Sequence, residues 1–258
     1  SHAKAVDEAD LKYPIDIYFN KGKWIMLDGV HRFTKAVRLG HTTIKVRRVS
    51  EEIAQATKKS DADYKTWRGD NKPMKRVFIV HGWGGSPFTE WIPWLRTKLD
   101  DAGYSVFVPE MPNSDVPEIV SWVSHLAQVV GRPDKDTYFI GHSVGCQTIL
   151  RYLQTIDTPV GGAIFVAGWF NLENLESDEL SVAEPWVKMP MDIERIRKVL
   201  PKSVLIISDN DEYGAFKENT GKFGQFVSHT VVLPNAGHIT QREEPAILSQ
   251  FENLIQKG

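Results

Sequence analysis

The chain has 258 residues, 41% of them hydrophobic and 25% charged, with a formal net charge of −2 and a single cysteine. Those fractions exclude an intrinsically disordered chain, and no apolar run approaches the roughly 20 residues that cross a bilayer. Cys146 alone can close no internal disulfide and build no cysteine zinc site, so no cofactor or metal is expected; without a charged stretch and apolar run at the start, the expected home is the cytoplasm. The charge is uneven, +6 over residues 1–75 and −8 over 76–258. Such a split suits two segments with different partners, or two that attract each other.

In chain order, Ile15–Phe19, Trp24–Leu27 and Thr43–Val49 read as strands, with a short helix Phe33–Leu39 stopped by Gly40. Ahead of that helix stands Asp28-Gly29-Val30-His31-Arg32. Gly29 permits a tight turn, and His31 and Arg32 at a helix N-terminus would hold an anion such as phosphate. The competing reading is a strand–helix turn with solvated basic side chains. Residues 51–75 are polar and charged and read as a helix plus linker.

From residue 76 the pattern becomes an alternating β/α chain. Arg76–Val80, Ser105–Val108, Thr137–Ile140, Ala163–Val166, Ser203–Ile207 and Thr230–Leu233 are short apolar runs bounded by Gly, Pro, Asp or Asn. They suit strands buried on both faces of a parallel sheet. Trp91, Trp94, Leu95 and Leu99 fall at helical spacing ahead of Gly103, a helix-terminating glycine. Ile119, Val120, Val123, Leu126 and Ala127 form a second apolar stripe, Ile149, Leu150 and Leu153 a third, and Ile247, Leu248, Phe251 and Ile255 the last. The fold class expected is α/β, a doubly wound and mainly parallel sheet, preceded by a small α+β segment. Residues 168–200 are longer than an ordinary connection and read as a lid-like insertion.

Chemistry concentrates in four places. Gly141-His142-Ser143-Val144-Gly145 matches the G-x-S-x-G nucleophile elbow, directly between a strand and a helix as that turn requires. Serine is a weak nucleophile at its free pKa, so a base and an orienting acid must follow it. His238, in Asn235-Ala-Gly-His, and Asp211, in Ser208-Asp-Asn-Asp, lie just past the last two strands, at the sheet edge where open α/β folds place their sites. Asp209 is the alternative acid. His81-Gly82-Trp83-Gly84-Gly85 follows the first strand of this region, and the amides of Trp83 and Val144 are the expected oxyanion hole. His81 and His142 read as structural hydrogen-bonding residues, His125 and His229 as surface or packing residues, and Cys146 as a packing residue beside the elbow. Trp83, Trp91, Trp94, Trp169 and Trp186 flank the expected site in sequence, as pocket walls or core.

The four motifs in this order resemble the α/β-hydrolase superfamily, and within it the small serine hydrolases of the retinoblastoma-binding protein nine and YdeN type, over residues 76–258. The resemblance implies a compact sheet, a Ser143–Asp211–His238 triad and esterase- or peptidase-like acyl hydrolysis. Tyr213-Gly-Ala215 departs from the apolar residue and proline that usually continue the acid motif. Pro14 to Val49 resembles part of a ParB/sulfiredoxin-like domain, whose D-G-x-H-R turn contacts nucleotide phosphates. That implies nucleotide or nucleic-acid binding by Asp28, Gly29, His31 and Arg32. Val30 stands where sulfiredoxins carry their reactive cysteine, so that chemistry is not expected. The organisation expected is therefore a partial ParB-like segment (1–50), a helix and linker (51–75) and a hydrolase domain (76–258).

The leading expectation is a serine hydrolase acting on a small ester or amide through an acyl-enzyme, with no membrane partner. The alternative is a non-catalytic hydrolase-fold interaction module joined to a basic nucleotide- or nucleic-acid-binding segment.

Overall fold

The computed structural model describes residues 6–20, 23–49 and 75–256. The chain divides into two compact units, Ser1–Lys72 and Pro73–Gly258. The helix and linker expected over 51–75 lie outside the described residues, apart from Lys75.

In the first unit β1 (Ile15–Asn20) pairs antiparallel with β2 (Lys23–Asp28) and parallel with β3 (Val46–Arg48). The third strand is shorter than the expected Thr43–Val49, since its pairing extends only along Ile15–Ile17. Arg47 clamps that pairing with two hydrogen bonds to Asp16, 2.7 and 2.6 Å long. Helix α1 (Val30–Arg38) starts earlier than expected, directly after Gly29, whose φ of 100° turns the chain out of β2. A Cβ at Gly29 would stand 2.6 Å from Ile15 Cγ2, so the turn admits only glycine.

The second unit is a three-layer α/β/α structure. Its strands are β4 (Arg76–Val80), β5 (Ser105–Phe107), β6 (Thr137–His142), β7 (Gly162–Val166), β8 (Ser203–Ser208) and β9 (His229–Leu233). All pairings are parallel, in the order β5-β4-β6-β7-β8-β9. Each strand matches its expected run to within two residues. Side chains alternate between two cores, as strand geometry requires. Val77, Ile79, Ile140, Ile164, Val166, Val204 and Ile206 pack against α2 (Ile92–Asp101) and α8 (Pro245–Gln256). Phe78, Val80, Phe139, Phe165, Leu205 and Ile207 face α3 (Ile119–Val130), α4 (Val144–Leu153) and the helices that follow. Burying each such aliphatic or aromatic side chain contributes about 1.5–3 kcal/mol, which makes this double core the main stabilising term.

Helix α2 ends as its glycine foretells. Gly103 has φ 90°, its N–H bonds Asp100 O, and Tyr104 N–H returns to Leu99 O at 3.1 Å. On α3 the expected stripe needs a correction. Val120 is exposed, and Trp122 takes the core position, its indole N–H donating to Pro112 O. The stretch 168–200 is not a bare loop, for it carries α5 (Ser177–Lys188) and α6 (Ile193–Val199). Buried Arg151 of α4 bonds the carbonyls of Trp186 and Met189 at 2.8 and 2.9 Å, satisfying acceptors at the C-terminal end of α5. Helix α7 (Phe216–Phe223) lies between β8 and β9.

The strand order reverses between β4 and β6. Chain segments leaving β4 and β6 therefore diverge, and the crevice between them is where this architecture binds ligands.

Candidate active site

Ser143 sits between β6 and α4 with φ 51° and ψ −119°, a conformation that costs a non-glycine residue of order 1–3 kcal/mol. Two glycines permit the turn. A Cβ at Gly145 would lie 2.3 Å from Val80 O, and one at Gly141 2.8 Å from both Cys146 N and Ile149 Cδ1. The strain lifts the serine to the carboxyl edge of the sheet at the N-terminus of α4, where backbone amides favour developing negative charge. Cys146 is buried one turn further on, with its thiol toward Gly141 O. Burial pushes that thiol well up from its ordinary pKa, so it is no nucleophile.

His238 and Asp211 come together across the β8 and β9 loops, His238 Nδ1 lying 2.8 Å from Asp211 Oδ2. Asp211 Oδ1 also accepts from Tyr213 N–H at 3.0 Å, so both carboxylate oxygens are committed. Asp209 points elsewhere and accepts from Asn235 N–H at 2.8 Å. Its neighbours do the same. Ser208 Oγ receives Ala236 N–H at 3.0 Å, and Asn210 Oδ1 receives Gly237 N–H at 2.9 Å. Three successive amides ahead of His238 are thus held by three successive side chains at the end of β8. The sequence carried the residues of this arrangement but no signal of their pairing.

The turn after β4 supplies the opposite wall. His81 is buried; its Nδ1–H donates to Gly82 O, and Nε2 accepts from Met111 N–H at 3.1 Å. Both ring nitrogens are occupied by structure, as expected for this residue. Burial depresses its pKa below 6.5 and keeps it neutral. His142 is likewise buried and structural, whereas His229 lies on the surface bonded to Gln250.

A cleft of about 200 Å³, partly open to solvent, joins these parts. Ser143, His238, His142 and Gly82 line its floor. Trp83, Trp169, Leu172, Leu175 and Tyr213 supply apolar wall, and Glu90 and Glu179 supply carboxylates. Of the five tryptophans flagged in the sequence, Trp83 and Trp169 line the cleft. Trp91 and Trp186 are buried core, and Trp94 packs against it. Trp169 was the residue whose part was hidden. Its indole N–H reaches Ser143 Oγ at 3.3 Å, and Gln147 Nε2 fixes its backbone by donating to its carbonyl. The next turn is pinned by buried Asn219, whose Oδ1 receives the N–H groups of Phe170 and Asn171.

The serine hydrolase family profile matches residues 77–256, the whole sheet and all of these loops. The chain belongs to the serine hydrolase family. This serine hydrolase is 26% identical over 171 residues to the protein YdeN of Bacillus subtilis, covering 66% of the chain and 88% of the relative. It is 23% identical over 185 residues to the serine hydrolase RBBP9 of Rattus norvegicus, covering 71% and 96%. The crystal structure of the B. subtilis ydeN product superposes with a TM-score of 0.66 at 23% identity, over 71% of this chain and 100% of that one. A carboxylesterase of Nitrososphaera gargenis shares the fold at TM-score 0.55 and 13% identity, over 71% and 92%. The serine hydrolase is an enzyme of the YdeN and RBBP9 type, and the non-catalytic alternative is not favoured.

The family match begins after the first unit. There Gly29 caps α1, with His31 exposed and Arg32 half-buried in its first turn. The ParB-like resemblance, and the nucleic-acid partner it implied, fall outside the residues that the family profile matches. Among the described residues no helix is long and apolar enough to cross a membrane.

Proposed function

We propose that Ser143, His238 and Asp211 act as nucleophile, base and orienting acid in hydrolysis of a small ester or amide. Ser143 Oγ attacks the carbonyl carbon as its proton passes to His238 Nε2, and the carbonyl π pair moves onto oxygen. The amides of Val144 and Trp83 receive that oxyanion; each such donor is worth about 2.7–4 kcal/mol in the transition state. Collapse breaks the bond to the leaving oxygen or nitrogen, which takes the proton from His238. Water, deprotonated by the same imidazole, then attacks the acyl-enzyme, releasing the acid and restoring Ser143 Oγ–H. Asp211 holds Nδ1–H throughout, so Nε2 stays the basic nitrogen.

The observation that carries this reading is the 2.8 Å His238–Asp211 contact in a cleft that also exposes the elbow serine. The wall chemistry extends it to the substrate. Glu179 lines the cleft, and among the described residues no lysine or arginine does. Glu212, burial, and then Glu179, Asp211 and Glu176 hold the Tyr213 phenol above its ordinary pKa. Such a surface favours neutral or cationic acyl compounds and repels carboxylates and phosphates. A reducing cytoplasm suits the lone thiol. Hydrolysis of p-nitrophenyl acetate by the full chain tests the assignment. Ser143→Ala should abolish turnover without lowering the melting temperature, and equal turnover in that variant would overturn it.

A further inference from the structure

A second carboxylate–histidine pair stands beside the first. His142 ends β6, is buried, and lies 2.9 Å through Nε2 from the backbone oxygen of His238. Its Nδ1 lies 2.8 Å from Glu90 Oε2, off the line of a straight hydrogen bond. A carbonyl oxygen has no proton to give, so Nε2–H is the donor to His238. Nδ1 would then meet the carboxylate lone pair to lone pair unless a proton lay between them. A proton shared between them turns the contact attractive, whether written as imidazolium and carboxylate or as imidazole and carboxylic acid.

The surrounding geometry is specific to this contact. Glu90 adopts φ 56°, a left-handed conformation that side chains other than glycine adopt at a cost. The next residue, Trp91, packs its edge on the His142 ring at 5.7 Å and donates its indole N–H to Ile239 O at 3.1 Å. Glu90 and Trp91 thus fasten residues 238 and 239 from one side, while Ser208, Asp209 and Asn210 fasten 235–237 from the other. Besides Glu90, the titratable groups facing His142 are His238, with ring centroids 5.1 Å apart and Asp211 behind it, and the neutral His81 at the end of β4.

We propose that Glu90 and His142 are positioning residues, a proton-bearing clamp that sets the catalytic imidazole of His238 through its backbone carbonyl. The clamp rests on the hydrolase reading above. While the shared proton is present, His142 is held with Nε2–H toward His238 O. Without Glu90 the ring loses its fixed orientation, and the His238 loop loses a donor.

The test measures kcat and KM for p-nitrophenyl acetate, and fluorophosphonate labelling rates, at neutral pH on the full chain. Glu90→Gln, whose amide N–H donates to Nδ1 of a neutral His142, restores kcat at least about fivefold over Glu90→Leu. Glu90→Leu and His142→Phe lower kcat about 10- to 100-fold with KM little changed, as expected for a displaced base. Circular dichroism melting checks each fold, and should His142→Phe not fold, the two Glu90 variants decide. Equal kcat in Glu90→Gln and Glu90→Leu, or full activity in Glu90→Leu, overturns the clamp alone. A wild type that no fluorophosphonate labels overturns the hydrolase reading and the clamp with it.

Discussion

Replacing Asp211 by asparagine sets two donors against one acceptor. Asp211 Oδ2 faces His238 Nδ1 at 2.8 Å, and Oδ1 receives Tyr213 N–H at 3.0 Å. An amide has one oxygen and one NH₂, so one of those partners must meet a donor. If the NH₂ faces His238, the ring takes the Nε2–H tautomer and loses the lone pair that accepts the Ser143 proton. The same substitution in a serine protease triad drops kcat about 10⁴-fold, equivalent to roughly 5.5 kcal/mol of barrier. Asp209→Asn is the matched control, because Asp209 bonds a loop amide, Asn235 N–H, rather than the imidazole. Losing or reversing that bond costs about 1 kcal/mol of stability and leaves kcat within a few-fold. Stopped-time hydrolysis of p-nitrophenyl acetate, with urea unfolding of both variants, separates these effects. If Asp209→Asn proves the more damaging to kcat, or Asp211→Asn keeps a tenth of wild-type turnover, the assignment of the acid is wrong.

Three more outcomes are expected. His81 is held below its ordinary pKa of 6.5 by burial, so on acidification the unfolded chain takes up this proton first. Its contribution to stability is complete above about pH 6.5 and is lost as pH falls toward the lowered folded value; in urea titrations His81→Gln should flatten that slope. Trp169→Phe removes the indole donor to Ser143 Oγ and should lower kcat/KM about 3- to 10-fold, the worth of one hydrogen bond, while an unchanged value would mean that the 3.3 Å contact has no part in turnover. Esters bearing an ammonium group should show lower KM than isosteric carboxylates, by at least about threefold at low salt and less at high salt. The opposite preference would contradict the role given to Glu179.

Much of the second unit was readable because its physics is local. Parallel strands covered on both faces give unbroken apolar runs, and all six appear where those runs lie. The nucleophile elbow was readable because sterics leave only glycine at positions 141 and 145. What the sequence hid depends on distant partners. Asp209 and Asp211 are alike in type and nearly so in position, and only the path of residues 235–238 assigns one to the loop and one to the imidazole. Val120 has the spacing of a core residue, yet Trp122 fills the larger gap against Trp186. Helix α5 escaped notice because it is charged, carries Pro185, and opens on a capping box that uses Glu176 in place of serine or threonine. Trp169 stood out only as one of five flanking tryptophans, since its position over Ser143 is set by Gln147 on another element.

Covalent labelling tests the central claim most directly. Treat the full chain with a fluorophosphonate, digest it, and locate the adduct by mass spectrometry. A single stoichiometric phosphonylation on Ser143, slowed by His238→Ala and absent from Ser143→Ala, is the result expected. A folded protein left unmodified, or modified at any other residue, would contradict it.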